Sequence, residues 1–80
     1  VIRSENIVAL RIAFPQVEQG ASDARAGVWR EVAGDYESMA YEIGRMLALE
    51  PPVPTGGPYS LGLVQVSPYI ERAIKQLVMC

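Results

Sequence analysis

The stretch Glu50–Pro58 reads E-P-P-V-P-T-G-G-P and holds four of the six prolines in the chain. Proline lacks the amide hydrogen that a helix needs, and it drives the preceding residue towards extended backbone. A helix arriving from the N-terminal side must therefore end near Leu49. Residues 50–58 are expected to be a Pro/Gly-rich connector inside one small domain spanning 1–80, since 80 residues support a single core. E-P-P-V-P has no adjacent Arg or Lys to anchor a polyproline ligand, so a semi-rigid connector is the better reading. A second zone of punctuation, Pro15 to Ser22, contains Gly20 and polar residues and reads as a loop.

Between these zones the periodicity is helical. Trp29, Val32, Tyr36, Met39, Ile43 and Met46 are spaced 3, 4, 3, 4, 3 and would share one stripe of a helix. Ala26, Ala33, Ala40 and Leu47 form a second row beside it. Ser22 or Asp23 would cap the start. Gly27 and Gly34 weaken the first half by about 1 kcal/mol each relative to Ala. The expected helix runs from about 22 to 49.

Two further helices are expected. Ser67 suits an N-cap and Pro68 the first helical position, with Ile70, Ala73, Ile74, Leu77 and Val78 recurring on one face over 67–79. Glu71 and Lys75 are an i, i+4 pair. Ser4 to Phe14 fits a strand or a helix. A helix is preferred because it satisfies its own backbone groups, whereas a two-stranded sheet is marginal in water. Residues 59–66 read as extended, with Leu61, Leu63 and Val66 facing inwards. The expected fold is mainly α, with three helices (about 4–14, 22–49 and 67–79). The alternative is a small α+β chain of β-α-β-α order.

Composition removes many functions. There is no His and one Cys, so a histidine base, a serine triad and a His- or multi-Cys zinc site are all excluded. Thr55-Gly56-Gly57-Pro58 lacks the Lys of a phosphate loop, and no G-x-S-x-G elbow is present. The carboxylates Glu31, Asp35 and Glu42 fall on a solvated helix face. Glu37 and Tyr41, four apart, are within reach of a shared hydrogen bond. A formal net charge of -2 with scattered basic residues argues against nucleic acid. No signal peptide or membrane-spanning pattern is seen, which fits an intracellular place or one within a particle. Cys80 reads as a free thiol, and no cofactor or metal is expected.

Length then points to partners. A chain of this size buries about 60% of the surface its unfolded form exposes. A helix over 22–49 would be about 42 Å long at 1.5 Å per residue, longer than a globule of about 30 Å across. Its uncovered end would expose Trp29 and Val32. The chain is therefore expected to be a non-enzymatic interaction protein, a subunit of a homo-oligomer or of a larger assembly such as a viral or phage structural or accessory complex. The expected interface is Trp29, Val32, Ala33, Tyr36, Met39, Ala40 and Ile43, with the alanines allowing a neighbouring helix to come close. The rival reading is a small regulator or inhibitor that binds one target through an acidic helix face.

Overall fold

The structure, a computed structural model, describes residues 1–55 and 62–78. Tyr59, Leu61 and Cys80, which the sequence reading singled out, lie outside the described residues, as does the end of the expected last helix at Met79. The chain is mainly helical with a small antiparallel sheet. A strand β1 (Ile2–Arg3) leads directly into α1 (Ser4–Ala13), followed by α2 (Gln16–Ala26) and α3 (Asp35–Leu49). Two more strands, β2 (Val53–Pro54) and β3 (Leu63–Gln65), precede α4 (Pro68–Val78). The sheet order is β1-β3-β2, with Ile2 opposite Val64 and Val53 opposite Gln65.

The helix expected over 22–49 is two helices, and glycine is the reason. Gly27 takes a left-handed φ of 70°, which a side chain resists. Its N–H donates to the Ala24 carbonyl at 3.2 Å, and the Val28 N–H donates to the Asp23 carbonyl at 2.8 Å. This pair of bonds is the Schellman ending, which satisfies the last free carbonyls of α2. Gly34, at φ 96°, then opens α3. Counting these glycines as weak helix residues missed that the first is a stop. Asp23 and Ser22 are accordingly no caps; both lie inside α2.

The expected loop at Pro15–Ser22 is instead most of α2. Pro15 stands just before the first turn, where its missing N–H costs nothing. Glu18 in the first turn and Arg25 in the last complement the helix dipole. The inward face is Val17, Gly20 and Ala21, a row of small side chains. That face presses on α3, and this is the most extensive contact between elements in the fold. A Cβ on Gly44 would overlap the Val17 carbonyl, and one on Gly20 would overlap the Tyr41 carbonyl. The two helices therefore touch backbone to backbone through a glycine on each side.

One core cluster joins Ile2, Ile7, Leu10, Val17, Ile43, Leu47, Val66, Ile70 and Ile74, drawn from β1 and all four helices with Val66 between β3 and α4. Helix α1 forms as expected and stops before Pro15, but Ser4 does not cap it with its side chain. The Ser4 N–H donates to the Gly62 carbonyl at 2.6 Å instead, tying the helix start to the sheet. Helix α4 has the expected cap, the Ile70 N–H donating to Ser67 Oγ at 3.3 Å. In β3 the facing is shifted: Leu63 is exposed, and Val64 packs on the core with Val66 beyond it. The Pro-rich connector contributes β2, an edge strand, the place in a sheet where proline is tolerated.

Candidate functional site

The break at Gly27–Gly34 creates a loop, and the loop is tied down by an unusual amount of polar chemistry. Asp23 is, among the described residues, the buried charged one, at 5% exposure. A carboxylate there must be paired or it would not remain ionised. Arg30 supplies the charge, with Nε donating to Asp23 Oδ2 at 2.7 Å and Nη2 donating to Oδ1 at 3.3 Å. This two-point geometry is the strong form of a charged hydrogen bond. The Tyr41 hydroxyl donates to the same Oδ2 at 2.7 Å. It in turn accepts the Arg30 backbone N–H at 3.0 Å and Arg45 Nη1 at 3.5 Å. Every donor and acceptor site of that hydroxyl is used. Arg30, followed by Tyr41, holds the Asp23 carboxyl below its ordinary range, while desolvation opposes them.

Arg45 closes the loop from the other side. Its Nη1 donates to the Val28 carbonyl, and its guanidinium sits 4.6 Å from the centre of the Trp29 ring. Trp29 also meets Tyr41 edge-on, with ring centres 5.9 Å apart and planes at 86°. Such contacts hold a ring in one orientation. Yet Trp29 remains 64% exposed. Two hollows flank it. One, of about 380 Å³, has Leu49, Met46, Tyr69 and Glu42 in its wall. The other, of about 400 Å³, has Glu31, Val32, Ser38 and again Glu42. Leu49 and Tyr69 add exposed apolar surface, at 68% and 48%.

The expected stripe is thus divided. Trp29 and Val32 lie on the loop and share the second hollow. Ala33 is exposed on the same loop. Tyr36 is exposed too, but it lines a separate hollow with Phe14 and Leu77. Met39 is half-buried and packs against the core. Ala40 and Ile43 have no exposed surface and belong to the core of this chain, so they are corrected from interface to interior. The residues missed were Asp23, Arg30, Tyr41 and Arg45, together with Leu49 and Tyr69. Gly27 was the available signal: a glycine that ends a helix places the following Val28-Trp29-Arg30 on a turn. The Glu37–Tyr41 spacing, within reach of a shared bond, is not used that way: the Tyr41 hydroxyl donates to Asp23.

Among the described residues no group of three or more Asp, Glu or Cys is placed to hold a metal ion. Nor, among them, is any helix long and apolar enough to cross a membrane. Comparisons with protein families, with curated proteins and with solved structures find no match to this chain.

Proposed function

We propose that the chain is a non-enzymatic protein–protein interaction module that works as a subunit of an assembly, with Trp29 as its anchor. The observation that supports this is a large aromatic side chain kept in water and yet fixed from several directions. A free indole on a loop samples many rotamers, and ordering it on binding costs about 0.5–1.5 kcal/mol. Here Arg45 and Tyr41 already hold the ring, and the next residue, Arg30, is anchored to the buried Asp23. Tryptophan and arginine are the side chains most often found at the energetic centre of interfaces. The reading changes the site from a long stripe to a loop and its two flanks.

The test compares the chain with its Trp29→Ala variant. Association is followed by light scattering across concentration and by selection of binding peptides from a display library. Association that disappears in a variant of unchanged circular dichroism supports the proposal. Association indifferent to the substitution, or none by either method, contradicts it.

A further inference from the structure

The hollows beside Trp29 carry a charge pattern that narrows what can occupy them. Four charged side chains line them: Arg30, Glu31, Glu42 and Arg45. The two cations are already engaged, although Arg30 stays exposed. Arg30 is spent on Asp23, and Arg45 lies against Trp29 and the Val28 carbonyl. The two anions are not matched. Glu42 stands three residues before Arg45 on the same helix, a spacing that permits an ion pair, but Arg45 has turned to the loop. Neither Glu31 nor Glu42 has an ion-pair partner among the described residues. Both border the same hollow, which Trp29 also lines.

Resting on the reading of Trp29 as an anchor, we infer that the occupant is a segment of a different protein bearing a large apolar side chain flanked by Lys or Arg. The apolar side chain fills the flank formed by Trp29, Met46, Leu49 and Tyr69, and the cations meet Glu31 and Glu42. A second copy of this chain fits less well. A two-fold contact through this face would gather four unmatched carboxylates in one interface, and like charges in contact cost several kcal/mol. The formal net charge of -2 adds repulsion at longer range. A small ligand also fits less well, because both hollows are open flanks of a protruding ring, whereas small-molecule sites enclose most of their ligand.

The experiment selects random 16-residue peptides from a display library on the immobilised full chain, about 16 being enough to span both hollows. Counter-selection uses Trp29→Ala. The result expected is a pool rich in Lys and Arg together with Leu, Phe or Trp. A selected peptide should shift the emission of Trp29, the one tryptophan in the chain. The double variant Glu31→Gln/Glu42→Gln keeps the side-chain shapes; it should bind that peptide about three- to tenfold more weakly, with a shallower salt dependence. A Trp29-dependent pool without an excess of basic residues overturns this inference and leaves the interaction module standing. So does an absence of peptides combined with Trp29 becoming covered as the chain is concentrated, which would mark a second copy as the occupant. No Trp29-dependent peptide, with an indole that stays wet at every concentration, overturns both.

Discussion

The Tyr41 hydroxyl donates to Asp23 Oδ2 across 2.7 Å, joining α3 to α2 directly beneath the loop that carries Trp29. The bond links the fold to the site: the same carboxylate that closes the helix pair also receives Arg30 from the loop. Removing the hydroxyl takes away one donor and leaves the Arg30 N–H without its acceptor. Tyr41→Phe is expected to cost about 1–2 kcal/mol in chemical denaturation. It should also loosen the loop, read as faster amide hydrogen exchange at Trp29 and Arg30.

Acid should weaken the same network. Asp23 is held below its ordinary value of 3.8, first by its bond to Arg30 and then by Tyr41. A folded-state pKa lower than the unfolded one stabilises the fold fully above the unfolded value. That contribution fades as pH falls from there through the lower folded value. Denaturation measured between about pH 2 and 6 should therefore show a steeper acid loss for the parent chain than for Asp23→Asn. Equal slopes would mean that Asp23 is not linked to folding.

The glycines should separate by mechanism. Gly44→Ala puts a methyl group into the Val17 backbone, which has no rotamer to yield. A loss of about 3 kcal/mol or more is expected, at the high end for one substitution. Gly27→Ala meets open space and bears only the strain of its left-handed backbone, about 1–2 kcal/mol. Thermal unfolding of the two variants checks the order.

Exposure separates core from surface along the stripe that the sequence drew as one. Ile43→Ala should cost about 2–5 kcal/mol, as a large side chain removed from a sealed interior. Tyr36→Asp should stay within about 0.5 kcal/mol of the parent, because its side chain faces water. Trp29→Ala should cost about 1 kcal/mol, since it also removes the ring's contacts with Arg45 and Tyr41. A Tyr36→Asp variant that fails to fold would place Tyr36 in the core.

The contrast between these residues shows what the sequence could reveal. Helices α1, α3 and α4 bury large apolar side chains at helical spacing, and that signal is local. Met39, Ile43 and Met46 do lie on one face of α3, as their spacing predicts. Helix α2 was hidden because its inward face is Val17, Gly20 and Ala21, residues that look like a linker. The smallness of Gly20 answers the Tyr41 backbone, as that of Gly44 on α3 answers the Val17 backbone, a requirement that exists only once the helices meet. Trp29 and Val32 fell in phase with α3 although the chain between them and Asp35 is not helical. The site was hidden for a similar reason. Asp23 reaches Tyr41 across 18 residues, and no spacing rule joins a carboxylate to a phenol at that distance.

The central claim is that Trp29 is at once exposed and immobile. Time-resolved fluorescence anisotropy of this single tryptophan, combined with quenching by a small neutral quencher, addresses both halves directly. The account predicts an indole that the quencher reaches freely but that turns only with the whole molecule, and that gains fast independent rotation in Asp23→Asn. An indole already rotating on its own in the parent chain, on the fast timescale of free surface side chains, would contradict it, as would one shielded from the quencher in dilute solution.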